Sequence, residues 1–287
     1  MSAPISLFVA GLTHLDCAYL DPAHGLVGES WAVDARLSGP LDDTGMICDF
    51  GIVKQVIKES LDAEVDHRLI LARGTRVDRQ TQGAQVELVH ADRDGRRLRY
   101  RAPAEALCEL DLPALDATAL ADALARLVQP RLPAGVESLT LSLRTESQRG
   151  QYHYCHGLQQ HAGNCQRMGH GHRGRLGIRL GGLPAPWLES LWVQQLGYRY
   201  LGSERHLMTA SGVGRCAFAY QSSQGAFELD LPEDRAYVIP ASATVECLAA
   251  HIADTIAAQH PGEHVEVTAY EGIGKGAVAR SAEGGPQ

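Results

Sequence analysis

The sequence predicts an α+β protein made of two similar units in tandem. Three observations carry this. The chain has 287 residues, enough for two domains of ordinary size. Its composition, 45% hydrophobic and 21% charged, is that of a globular protein with real cores. Apolar alternation and helical spacing recur in the same order in each half: strand, strand, helix, hairpin, helix, strand.

The first half opens on strand-like stretches around Leu7–Leu12 and Ser30–Leu37. Gly45-Met46 leads into Asp49, a helix N-cap type, and Ile52, Val53, Val56, Ile57 and Leu61 follow at helical spacing. Val86–Val89 and Leu98–Tyr100 alternate around Asp94-Gly95, which predicts a hairpin. A second helix carries Leu120, Leu124, Leu127 and Val128 and is ended by Pro130 and Pro133. Leu139, Leu141 and Leu143 alternate in a closing strand. In the second half the strands fall near Tyr152–Leu158 and His170–Leu180, and the first helix carries Leu188, Leu191, Trp192 and Leu196. A hairpin pairs Cys216–Tyr220 with Phe227–Leu231. A helix carries Val245, Leu248, Ile252 and Ile256, and Val265, Val267 and Ala269 close the half. The units are read as 1–147 and 148–279, with 280–287 a small, polar, disordered tail. Two identical runs, Glu109–Pro113 and Glu228–Pro232, stand at different distances from the helices behind them, which points to a chance match.

A formal charge of -8 and a pI of about 5.9 speak against sequence-independent binding of nucleic acid or of an anionic membrane. No stretch approaches the roughly 20 apolar residues of a membrane span. Met1–Ala10 has no basic residue before its short apolar run, unlike a secretory signal. The seven cysteines are scattered and odd in number, which fits a reducing, cytoplasmic setting.

Histidine is more informative. Five of 13 fall between His153 and His172. On a strand, His170 and His172 point to one face, and His156 lies on the preceding strand across a hairpin-sized connection. Three histidines with a position left open are the pattern of a catalytic zinc site, with ligand distances of about 2.0–2.1 Å. Gly171 between them removes a side chain from the opposite face. His153 has the wrong strand parity for a third ligand, and His161 reads as loop. Cys165, in the connection, is either a thiolate made available by a nearby cation or a fourth ligand.

These residues resemble a family. His156-Gly157-Leu158 followed by Cys165-Gln166-Arg167-Met168-Gly169-His170-Gly171-His172 is similar to the 6-pyruvoyltetrahydropterin synthase and 6-carboxytetrahydropterin synthase family. So are Thr244-Val245-Glu246, which looks like its Pro-Thr-x-Glu helix start, and the closing strand that ends in Tyr270-Glu271. In the first half, Gly45-Met46-Ile47-Cys48-Asp49-Phe50 with Lys54, and Val65-Asp66-His67, resemble the family at other places. The resemblance implies two tandem tunnelling-fold (T-fold) units, antiparallel sheets with helices on one face, assembling into a barrel and hence a homo-oligomer. It implies zinc on His156, His170 and His172, with Cys165, Asp66 and His67 as the catalytic set and Glu271 as the residue that grips a pterin. In the family the Asp-His pair is supplied by a neighbouring subunit.

Each half departs from the pattern. Val27-Gly28-Glu29 stands where the first half would carry His-Gly-His, and its first-strand histidine is missing, with His14 and Cys17 the nearest substitutes. No Asp-His follows the Leu188–Leu196 helix; the nearest text is Tyr198-Arg199 and then Glu204-Arg205-His206. A division of labour is expected, with zinc, Cys165 and Glu271 from the second unit and Asp66 and His67 from a first. The helix-end reading of Asp66-His67 stands beside it. The implied activity is a zinc-dependent lyase acting on a reduced pterin such as 7,8-dihydroneopterin triphosphate, giving a 6-carboxy- or 6-pyruvoyl-tetrahydropterin. Lys275, Arg173 or Arg167 could meet the triphosphate charge, with solvated surface as the ordinary reading of such residues. The alternative is a non-catalytic zinc- and pterin-binding T-fold protein.

Overall fold

The computed structural model describes residues 5–209 and 212–281. Ten elements form the first half: β1 (Ser6–Asp21), β2 (Gly25–Ser38), α1 (Phe50–Glu64), β3 (Leu69–Ala72), β4 (Asp78–Gln82), β5 (Gln85–Ala91), β6 (Arg97–Pro103), β7 (Leu107–Leu110), α2 (Ala117–Val128) and β8 (Ser138–Arg144). The second half contains β9 (Gln151–His156), β10 (His170–Leu180), β11 (Leu183–Pro184), α3 (Pro186–Leu196), β12 (Arg199–Ser203), β13 (Arg215–Ser222) and β14 (Gly225–Pro232). It closes with β15 (Ala236–Ile239), α4 (Val245–Gln259), β16 (Val265–Tyr270) and β17 (Gly276–Arg280).

The order of elements expected from the sequence recurs in both halves, with β4, β11 and β17 lacking a counterpart in the other half. One sheet runs β7-β3-β1-β2-β8 and a second runs β15-β12-β9-β10-β16-β17. In each, a long antiparallel pair (β1 with β2, β9 with β10) is followed on one side by an antiparallel closing strand and on the other by two short parallel strands. The parallel strands were not legible in the sequence. The third sheet, β13-β14-β6-β5-β4, joins the hairpins of both halves, with Leu229 of β14 opposite Tyr100 of β6. The two identical five-residue runs lie in unlike places, one leaving β7 and the other inside β14.

Helices cover one face of each of the first two sheets. Asp49 caps α1, its carboxylate accepting from the Gly51 and Ile52 amides at 2.6 and 3.2 Å, an arrangement that contributes about 1 kcal/mol. Helix α1 buries Val53, Ile57 and Leu61 with Leu120 and Leu124 of α2. Helix α4 buries Leu248, Ile252 and Ile256 against Val265 and Val267, each large side chain contributing about 1.5–3 kcal/mol. Ile52 and Leu191, grouped in the sequence with the apolar faces, are exposed. A third core, around Tyr100, Met168, Phe218, Phe227 and Leu229, takes residues from both halves and binds them together.

The expected tail begins later than the sequence suggested. Arg280 ends β17, and Ser281 is buried with its amide donating to Val265 O at 2.9 Å. Residues 282–287 of that tail lie outside the described residues.

Candidate active site

The two sheets cross at glycines. A β-carbon on Gly28 would press into the Tyr154 carbonyl oxygen and the His172 nitrogen, and would stand 2.7 Å from the Gly171 carbonyl carbon. One on Gly171 would stand 2.7 Å from the Gly28 α-carbon. Val27-Gly28-Glu29 and His170-Gly171-His172 therefore lie back to back, and only glycine fits where they touch. The strand registers make the correspondence explicit. His156 pairs with His170 and Tyr154 with His172, as Tyr19 pairs with Val27 and Cys17 with Glu29. The first half thus carries Tyr19, Val27 and Glu29 in the places of the three histidines. His14 lies exposed along β1 and Cys17 in the apolar core, so neither replaces a ligand.

The three histidines converge as expected. Their ligating atoms lie within 4.8 Å of one another and all three rings are buried. His156 Nε2 and His172 Nε2 are 3.1 Å apart, close to the separation of about 3.3 Å that two ligands of a tetrahedral ion at 2.0–2.1 Å would have. His170 Nε2 is buried with no hydrogen-bond partner. Each Nδ1 faces an acceptor: Ala243 O at 2.7 Å for His156, Arg167 O at 2.5 Å for His170, and Asp16 Oδ1 at 3.2 Å for His172. For His156 and His170 the Nδ1 bond to a carbonyl favours the tautomer that leaves Nε2 free, whereas His172 Nδ1 faces the Asp16 carboxylate without a hydrogen bond. Burial pushes the His156 imidazole down to about 4 and that of His170 well below its ordinary value, so both stay neutral. The donor set fits zinc. His153 points the other way, toward Gly28 O at 2.8 Å, and His161 lies exposed in the loop.

The Asp66-His67 pair reaches this centre from the first half of the same chain. After α1 the chain turns through His67, which has φ of 56° and donates its amide to Asp16 O at 2.7 Å. Asp66 Oδ1 accepts from the Asp16 amide at 2.9 Å, and Asp66 Oδ2 receives His67 Nδ1. The His67 ring lies 5.0 Å from His170 and 6.2 Å from His172, centroid to centroid. His67, Cys165 and His170 form a second set with ligating atoms within 4.8 Å of one another. Burial alone would lower the His67 pKa; hydrogen bonds to Asp66 and to Cys165 outweigh it and raise it to about 10. Carboxylate, imidazole and thiol thus lie in line beside the three histidines.

Cys165 sits in a short helical turn, Asn164–Gln166, of the 157–169 loop. The loop is tied down by Leu158 N donating to Cys165 O at 2.8 Å and by Gln166, whose side chain meets Ser223 Oγ and the Gln224 amide. The β13–β14 turn thereby positions the thiol. Glu271 follows β16, and its Oε1 stands 3.4 Å from His156 Nε2 and 3.6 Å from His172 Nε2. Burial opposes the ionisation of Glu271, but the positive charge around it, Lys275 included, lowers its pKa.

Of the basic residues, Arg173 is held by Glu29 through bonds of 2.7 and 2.8 Å. Arg167 donates to Gln224 Oε1 at 3.0 Å, and Lys275 reaches Asp16 Oδ2 at 3.1 Å. His206 is engaged by Gln159 Oε1 at 3.0 Å and lies against Tyr220. Asp16 is the site residue that sequence reasoning missed. Its one signal was a carboxylate inside an apolar strand, between Leu15 and Cys17.

With this geometry in view, comparison with known proteins gives a family. Residues 12–143 match the family described as 6-pyruvoyl tetrahydropterin synthase. Solved structures similar to this chain include 6-pyruvoyl tetrahydropterin synthase from Plasmodium vivax, 19% identical over 52% of this chain and 94% of that one, with a TM-score of 0.41. Another is the enzyme of that name from Plasmodium falciparum, 16% identical over 50% of this chain and 91% of that one, with a TM-score of 0.41. No curated protein matches the chain. The matched segment is the half without the histidine set, and the half with it repeats the same strand order. Residues 12–143 thus match the 6-pyruvoyl tetrahydropterin synthase family model, and the second half repeats the strand order of that segment in the tandem α+β arrangement expected of T-fold units.

Proposed function

We propose that this protein is a zinc-dependent lyase acting on a reduced pterin such as 7,8-dihydroneopterin triphosphate, forming a 6-carboxy- or 6-pyruvoyl-tetrahydropterin. The observation that carries this reading is the meeting, within one chain, of His156, His170 and His172 with the Asp66–His67–Cys165 relay. The units are taken as 1–147 and 148–279. Bound zinc would supply polarisation of the oxygens on the pterin side chain.

The chain's own groups do the proton work. Cys165, as thiolate, removes a proton from the side-chain carbon next to a hydroxyl. His67, oriented by Asp66, holds a proton and returns it on the other side of the step. Glu271 accepts two hydrogen bonds from the amino-pyrimidine edge, which donates from adjacent nitrogens. Its position beside two of the histidines also allows it to approach the ion, so its two roles are separated by experiment below. Lys275 is half exposed, and its carbonyl accepts from the Glu271 amide, which makes it a candidate partner for the triphosphate. No helix among the described residues is long and apolar enough to cross a membrane, and all seven cysteines are free; a cytoplasmic setting and a homo-oligomer complete the proposal.

The non-catalytic alternative drew its support from the missing Asp-His pair in the zinc-bearing half. That support weakens here, because Asp66 and His67 reach the site from the first half. The deciding experiment is single-turnover product analysis with 7,8-dihydroneopterin triphosphate and zinc-loaded protein. A pterin shortened or oxidised in its side chain, with triphosphate released, is the expected outcome. Unchanged substrate that remains bound would establish a binding protein instead.

A further inference from the structure

Resting on the zinc reading above, we infer that Asp16 of the first half is the positioning residue for the metal ligand His172 of the second, so that metal affinity is set by both halves together. His156 and His170 present their Nδ1 atoms to backbone carbonyls, which mutation of a side chain leaves in place. His172 has no such carbonyl. Its Nδ1 is buried without a well-aligned hydrogen bond, and the acceptor facing it, at 3.2 Å, is Asp16 Oδ1.

Asp16 is built for this place. It is 3% exposed, in a strand whose neighbours Leu15 and Cys17 are fully buried. A carboxylate is costly there unless its oxygens are satisfied. Ser30 Oγ donates to Oδ1 from the paired strand, and Lys275 Nζ meets Oδ2 at 3.1 Å. Lys275 comes from the turn that also carries Glu271, so the anion is tied to both walls of the site. The Asp16 backbone meanwhile holds Asp66 and His67 through its amide and carbonyl. One residue thus fixes a metal ligand with its side chain and the acid–base pair with its main chain.

The repeat gives an internal comparison. The strand registers place Asp16 opposite Ser30 and His153 opposite Arg173, so Asp16 and His153 are equivalent positions, as are Glu29 and His172. On the metal-binding side the first half offers a carboxylate to a histidine at 3.2 Å. On the other side the arrangement is inverted, with His153 3.8 Å from Glu29, and Glu29 is engaged by Arg173. The carboxylate–histidine contact that supports a ligand is therefore special to one face of the crossing and does not follow from the fold alone.

A carboxylate on the far nitrogen of a ligating imidazole fixes its tautomer and makes it a stronger donor. Removal of such a partner typically weakens metal binding by about 10–100-fold. The test is zinc affinity measured by competition with a chromophoric chelator on wild type, Asp16→Asn and Asp16→Ala, with His170→Ala as the control for loss of a ligand. A long-range proton–nitrogen NMR spectrum of the metal-free proteins reads the His172 tautomer directly. We expect wild type to bind one zinc with His172 protonated at Nδ1. We expect Asp16→Asn, which keeps shape and burial, to bind zinc about 10–100-fold more weakly with a mixed tautomer at unchanged circular dichroism. Equal affinity and an unchanged tautomer in Asp16→Asn would overturn the inference while leaving the metal site standing. Failure of wild type itself to bind zinc, or full binding by His170→Ala, would overturn the zinc reading instead. Should Asp16→Ala not fold, the isosteric variant decides alone.

Discussion

His67 and Tyr198 occupy the same place in the two halves. Each is a non-glycine residue in the left-handed region, with φ of 56° and 58°, and each donates its amide at 2.7 Å to the equivalent strand residue, Asp16 O and His153 O. Only a few residues of this type hold such a conformation, and it is kept where the surroundings require it. His67 turns toward His170, whereas Tyr198 stacks on His24 at 3.8 Å and on His153 at 5.1 Å. His67 thus joins the histidine cluster of the other half, whereas Tyr198 packs between a histidine of each half.

His67→Ala and Asp66→Asn are expected to cut the chemical rate by about 10²–10⁴-fold with zinc content unchanged, the usual contribution of a positioned acid or base. Because the relay closes within one chain, mixed oligomers of His67→Ala and Cys165→Ala chains should recover no activity. Steady-state rates of co-expressed chains check this, and substantial recovery would mean that the relay is completed between chains in solution.

Elemental analysis should find about one zinc per chain, since Tyr19, Val27 and Glu29 replace the ligands in the first half. After chelation the far-UV circular dichroism should persist, because three apolar cores and not the ion hold the fold. Two ions per chain, or collapse on chelation, would contradict this.

Cys165→Ala should abolish turnover and leave zinc bound. The thiol groups with His67 and His170 and not with all three histidines, which favours the proposed base over a fourth ligand. Loss of zinc together with activity would make it a fourth ligand.

Glu271→Gln should raise the Michaelis constant more than it lowers zinc content, since hydrogen bonds to a charged acceptor contribute roughly 1.5–3 kcal/mol each. If zinc falls away first, the carboxylate is a ligand, as its 3.4 and 3.6 Å approaches to His156 and His172 allow.

Much of this was legible from residue pattern. Strand β10 runs from His170 to Leu180 as the alternation predicts, and Asp49 caps α1 as its type and place predict. Both signals are local. The parallel strands β3, β7, β12 and β15 have four or five residues each, and pairing with distant strands, not their own sequence, makes them strands. Asp16 was illegible for the same reason: its cation partner Lys275 lies 259 residues away. The two parts of the candidate site were visible as complementary absences, Asp-His from one half and His-Gly-His from the other. Their meeting within one chain needed the glycine crossing of Gly28 and Gly171.

The shared core and third sheet have a kinetic consequence. A site divided between separate polypeptides is populated according to protein concentration and empties on dilution. Here the segment bearing His67 and the segment bearing Cys165 are tethered, and their encounter is intramolecular, with an effective local concentration that dilution does not change. Specific activity should therefore stay flat as the protein is diluted. On the second face of the crossing, where Glu29 stands in the place of His172, Glu29 and Arg173 form a closed ion pair within the same tethered chain.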